Sequence, residues 1–175
     1  MHLKISLAAI AATLVAATPA VAQQTATATA PATARGTVLL PLTLTQSQPL
    51  DFGTVIASPT VAGNVVINAD SGARSVGGGV VGVPNYPGAR GLFQGAGSAN
   101  QVVVLTLSPP AVLTSGANSL TVNSMTFDTA GGLSTTRTID ATGAFAIGVG
   151  GDFAIGANQA NGVYTANYTV TADYQ

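Results

Sequence analysis

Beyond the first 22 residues, tyrosines aside, ten side chains carry all the ionisable chemistry of this chain: Asp51, Asp70, Asp128, Asp140, Asp152, Asp173, Arg35, Arg74, Arg90 and Arg137. Proton transfer near neutral pH draws on His, or on Glu, Lys or Cys with a shifted pKa. The only His is His2, the only Lys is Lys4, and there is no Cys or Glu. A serine or threonine nucleophile therefore has no base beside it, and a zinc site of His and Cys has no ligands. Only oxygen-loving cations such as calcium remain open, and the six dispersed Asp lack the alternating carboxylates of an EF-hand loop. Phe127-Asp128-Thr129-Ala130-Gly131 faintly echoes an aspartic-protease loop, a chemistry that needs a second carboxylate to share the proton. Asp51-Phe52-Gly53 spells the magnesium triplet of protein kinases without the lysine or catalytic loop that gives it meaning. Gly77-Gly78-Gly79-Val80-Val81-Gly82 has the letters of a dinucleotide-binding turn. The turn-rich Val83-Pro84-Asn85-Tyr86-Pro87-Gly88 follows instead of a helix, so a bulged strand or loop is the expectation. Asn167-Tyr168-Thr169 fits a glycosylation sequon, which carries little weight if the producer is a bacterium, as the signal style and composition suggest. Four scattered Arg against six Asp make no basic patch for nucleic acid. The set points to a non-enzymatic protein that uses no cofactor and no metal.

The elements around these residues are strands. Met1 to Ala22 has a short basic start, an apolar run and Ala20-Val21-Ala22, the layout of a signal peptide. Its apolar run is shorter than the roughly 20 residues a spanning helix needs, so no membrane span is expected after cleavage. The product is then exported, to the periplasm, the cell surface or beyond. It lacks the Cys needed for lipid attachment or a disulfide. Residues 23–35, rich in Thr and Ala, read as a flexible start, and residues 36–175 as a single β-sandwich domain.

Thr37 to Thr45 reads as a strand with Val38, Leu40, Leu42 and Leu44 on one face. Pro41 donates no hydrogen bond, so the strand is expected at a sheet edge or only partly paired. Short Val- and Thr-rich runs recur at 51–57, 64–68, 75–83, 91–94, 101–107, 120–127, 134–139, 144–149 and 153–155, with a hairpin expected at Gly150-Gly151. The last run, Val163 to Gln175, alternates Tyr164, Ala166, Tyr168, Val170, Ala172 and Tyr174 against Thr165, Asn167, Thr169, Thr171 and Asp173. Many short strands and no capped helical period predict an all-β sandwich or barrel.

Four phrases in order carry a resemblance: Leu50-Asp51-Phe52-Gly53; Gly63-Asn64-Val65-Val66-Ile67; Phe145-Ala146-Ile147-Gly148-Val149-Gly150-Gly151; and Gly162-Val163-Tyr164 opening the final strand. Together they resemble the secreted proteobacterial family of unknown function DUF4402. That family is similar in turn to spore-coat-U-type proteins and chaperone-usher pilin subunits. The resemblance implies an immunoglobulin-like (pilin-like) antiparallel β-sandwich whose partners are neighbouring copies or a periplasmic chaperone, joined through β-strand addition. Val38, Leu40, Leu42 and Leu44 would form the donor strand, and Tyr164, Tyr168, Val170 and Tyr174 the terminal assembly strand. The chain departs from typical pilins in its missing disulfide and its long Ala-Thr tract.

Two apolar end strands must pair with something, either within one molecule or between molecules. A pilus-like structural or surface protein is the leading expectation. A secreted monomeric module binding a carbohydrate or other ligand, with Tyr86, Tyr164 or Tyr168 stacking on a sugar ring, and a small outer-membrane barrel stand beside it.

Overall fold

A computed structural model describes residues 28–129 and 131–175. The expected signal peptide and the first residues of the Thr/Ala-rich start lie outside the described residues. Residues 28–36 carry no regular secondary structure and are exposed. From Thr37 on, every regular element is a strand. Period-two alternation is the reason. In β7 (Val102–Ser108), Val103, Leu105 and Leu107 point inward and are buried, while Thr106 and Ser108 stay exposed.

The larger sheet is organised around β11 (Ala144–Ile155). On one edge its first half pairs antiparallel with β6 (Gly91–Ala96), which pairs with β1 (Thr43–Gln48). On that same edge its second half pairs with β3 (Gly63–Ile67), which pairs with β4 (Arg74–Gly78). The opposite edge carries β9 (Asn118–Phe127), and β9 carries β8 (Val112–Ser115). The second sheet runs β10 (Ser134–Thr138), β7, β12 (Thr169–Tyr174), and β2 (Val55–Ile56) with β5 (Val81–Gly82) makes a small ribbon. The result is the expected all-β antiparallel sandwich. Among the described residues the large sheet ends at β1, β4 and β8 without closing on itself.

Two apolar clusters lie against the inward face of β9 and β11. The first joins Val103, Leu105, Leu107, Met125, Phe127, Ile139, Phe145, Ile147 and Val149, under the second sheet. The second joins Val65, Val80, Leu120, Phe153 and Ile155. Phe52, Val55, Ala57, Leu113 and Tyr164 pack on that cluster, most of them from loops.

Several sequence expectations change here. No hairpin forms at Gly150-Gly151: β11 runs straight through, with Gly150 opposite Thr126 and Gly151 opposite Met125. These glycines serve close approach instead. A Cβ at Gly150 would press on the Ile67 carbonyl and lie 2.5 Å from the Ala69 nitrogen. The strand expected at 37–45 begins only at Thr43, because Pro41 lacks an N–H. The run 75–83 is broken at Gly78 (φ +65°), as the glycine triplet suggested, and no helix follows it. The terminal strand starts at Thr169, six residues later than its alternation suggested. Strand β8 was not anticipated; its signal was the two-residue loop Gly116-Ala117, with positive φ at Gly116 only, as in a type II′ turn.

Candidate functional site

The second cluster lacks a covering sheet, and a cleft of about 1130 Å³ opens over it. Its floor is Leu120, Val122, Met125, Phe153 and Ile155. One wall is the segment from Leu50 to Ala57 with the loop 85–89, and the other is Gln159 to Ala166 with Tyr168.

The first wall is held by backbone geometry and one cation. Asp51 and Ala89 exchange two backbone hydrogen bonds of 2.8 and 2.7 Å. The Asp51 carboxylate accepts from the Gly53 N–H at 2.8 Å, and Gly53 turns with φ +74°. Arg74 then ties the wall to β4, its guanidinium donating to the carbonyls of Thr54 (3.0 Å), Tyr86 (2.8 Å) and Val83 (2.9 Å). That fork gives three carbonyls, each already accepting one backbone N–H, a second donor from one rigid group. Phe52 meets Phe153 edge-on, with ring centres 4.6 Å apart, and so joins wall to floor.

The second wall is tied by Tyr164. Its hydroxyl donates to the Ala160 carbonyl at 2.7 Å and accepts from Gln159 at 2.8 Å, and its ring packs on the second cluster. Thr165 bridges to Thr114 of β8 through two backbone bonds of 3.0 and 2.9 Å. Tyr168 closes the far end, its ring edge-on to Phe93 at 6.0 Å. Burial raises the Tyr168 pKa, against the weaker effect of hydrogen bonds from Gln46 and at Leu50. A Cβ at Gly91 would come within 2.5 Å of the Tyr168 hydroxyl, so that glycine makes the tyrosine's room.

The charged residues serve as staples rather than gathering in the cleft. Arg90 donates to the carbonyls of Ala69 and Asp70. Arg137 pairs with Asp128 Oδ1, while Asp128 Oδ2 accepts from the Gly148 N–H at 2.9 Å. The carboxylate of the Phe127-Asp128-Thr129 phrase is thus occupied on both oxygens. Asp152 accepts from Asn64, and Asp140 caps its own turn. Among the described residues no three acidic, His or Cys side chains gather as metal ligands would. No described helix is long and apolar enough to cross a membrane, which says nothing of strands.

The four positions expected as a donor face divide. Val38 is 97% exposed and Leu40 63% exposed, while Leu42 and Leu44 pack on the first cluster of their own domain. The terminal face divides too: Tyr168, Val170 and Tyr174 pack on the first cluster and Tyr164 on the second. The two end strands do not share a ladder; β1 edges the large sheet and β12 the small one. Sequence reasoning missed the cleft and the role of Arg74. The cleft brings together Tyr86, Tyr164 and Tyr168, which the sequence had flagged separately.

A family model described as "Domain of unknown function (DUF4402)" matches residues 42–174. No curated protein and no solved structure matches the chain.

Proposed function

We propose that this chain, which belongs to the DUF4402 family, is an exported, non-enzymatic structural or surface protein that assembles by β-strand addition. One observation carries the reading: a single chain holds both an exposed apolar arm and an open apolar cleft. The arm is Thr37 to Leu40, outside any strand, with Val38 and Leu40 turned to solvent. Exposed apolar chain next to free sheet edges is a liability unless it has a partner. The cleft has an apolar floor in which the alternate side chains of an extended segment can find pockets.

In this reading the arm of one copy enters the cleft of the next, and a periplasmic chaperone occupies the cleft beforehand, the assembly expected from the sequence resemblance. Leu42 and Leu44 are not part of the donor face, because they complete their own core. The donor is therefore shorter than the sequence suggested: Val38 and Leu40.

The test is a pair of exposed substitutions, Val38→Glu with Leu40→Glu, followed by size-exclusion chromatography with light scattering over a concentration series. Wild type should form higher species that the double variant loses, and a peptide of residues 36–42 should compete for the cleft. A wild type that stays monomeric at every concentration, with the variant identical to it, would sink the proposal.

The convergence of Tyr86, Tyr164 and Tyr168 on the cleft favours a second reading, a monomeric module that binds a carbohydrate or other uncharged ligand there. Quenching of tyrosine fluorescence by oligosaccharides, without any change of mass, is the outcome that would favour it.

A further inference from the structure

We propose that Tyr174 is a latch that fixes the root of the N-terminal arm and so sets its reach. The inference rests on the strand-addition reading for its purpose, but its geometry stands alone. The Tyr174 hydroxyl donates to the Leu40 carbonyl at 2.8 Å and accepts from the Ser98 N–H at 2.7 Å. The Leu40 N–H in turn donates to Ser98 Oγ at 2.7 Å. Both backbone polar groups of Leu40 are thus satisfied although Leu40 lies in no strand.

The latch sits where the ladder stops. The last register pair of β1 with β6 is Thr43 with Ala96, and Pro41 has no N–H with which to extend it. Two side chains supply the rung the backbone cannot. Gly97 makes room for them: a Cβ there would collide with the Tyr174 hydroxyl and lie 2.9 Å from Leu42 Cδ1 and 3.0 Å from Ile139 Cδ1. On one side of this point Leu42 packs on the core, and on the other Val38 is free.

Closed, the latch lets the arm swing from Leu40. Open, it releases Leu40 and Pro41 as well, lengthening the free arm by about 7 Å at roughly 3.3 Å per extended residue. Because Tyr174 is carried by β12, anything that pairs with or displaces β12 lengthens the arm, and engagement of the arm must act back on β12 to the same degree.

Amide hydrogen exchange on the full chain tests the latch. Tyr174→Phe keeps the ring and removes both hydroxyl bonds. It should speed exchange at Ser98 and Leu40 by about three- to tenfold, the scale of one neutral hydrogen bond, and leave Leu105 and Leu107 unchanged. Ser98→Ala should deprotect Leu40 similarly, and the double variant should add less than the two singles together. Unchanged exchange at Leu40 in both variants overturns the latch. Light scattering on the same samples keeps the two ideas apart. A wild type that never associates, with Leu40 deprotected in the variants, removes strand addition and leaves the latch standing. Association at the same rate with and without the hydroxyl removes the control of reach.

Discussion

The two ends of β11 lie in different surroundings. From Phe145 to Val149 its inward side chains are covered by the sheet β10, β7, β12, and the cluster there is closed. From Gly151 to Ile155 the same strand, with the same alternation, is covered mostly by loops, with Val55 of the short β2 and Leu113 of β8, and the surface opens into the cleft. One strand therefore reports on both conditions. The difference teaches that strand patterning specifies which face is apolar, whereas the number of covering strands decides whether that face is sealed.

The comparison is most readily broken from the closed side. Leu105→Ala, at a fully buried site of β7, should cost about 2–5 kcal/mol and lower the thermal midpoint markedly. Leu113→Ala, a half-buried side chain at the cleft, should cost under about 1.5 kcal/mol. Equal losses at the two sites, measured by denaturant unfolding, would show that the cleft is as well packed as the closed half. Between these falls Arg74→Met, which removes the charged donor shared by the carbonyls of Thr54, Val83 and Tyr86 and leaves each with one backbone N–H. A loss of about 1–3 kcal/mol is expected, with faster amide exchange confined to residues 51–57 and 83–89. Loosening that spread to β7 and β12 would contradict a wall held independently of the closed half.

Two titrations sharpen the contrast further. Burial lifts the Tyr168 pKa above its ordinary value of 10.0, so the folded chain favours the neutral phenol. The stability this contributes is whole below pH 10 and is lost as pH rises through the raised value, and Tyr168→Phe should remove that loss. Asp140 is the smallest effect. The Thr142 hydroxyl, with the Ala144 amide, holds its pKa below the usual 3.8, so its contribution is present above that pH and fades as pH falls through the lowered value. The carboxylate is fully exposed, so only a slight shift of the acid midpoint is expected from Asp140→Asn, read by circular dichroism.

Much of the closed half was legible in the sequence. Val103, Leu105 and Leu107 alternate with Thr106 and Ser108, and Tyr168, Val170, Ala172 and Tyr174 alternate with Thr169, Thr171 and Asp173, as their burial does. The open half was harder to read, for identifiable reasons. Glycine serves a turn and a close crossing equally well, so Gly150-Gly151 looked like a hairpin when its role was to admit the Ile67 and Ala69 backbone. The acceptors of Arg74 are main-chain carbonyls, which leave no mark in residue types. A cleft made by strands that are missing has no residues to announce it. The split of the arm at Pro41 was legible, because a proline without an N–H already pointed to an edge strand or one only partly paired, and β1 begins at Thr43.

The placement of Leu40 has a mechanical consequence. A load applied to the arm enters the domain at the Tyr174 and Ser98 bonds, then passes into β1 along its length. There the register pairs with β6, from Thr43 to Gln48, share it side by side. Tension along a strand shears such pairs together, whereas tension across it unzips them one at a time. The first bonds met are side-chain bonds, which can break and re-form without disturbing the ladder behind them. A chain of copies joined through their arms would accordingly yield a little at each joint, and recover, before any domain began to unravel.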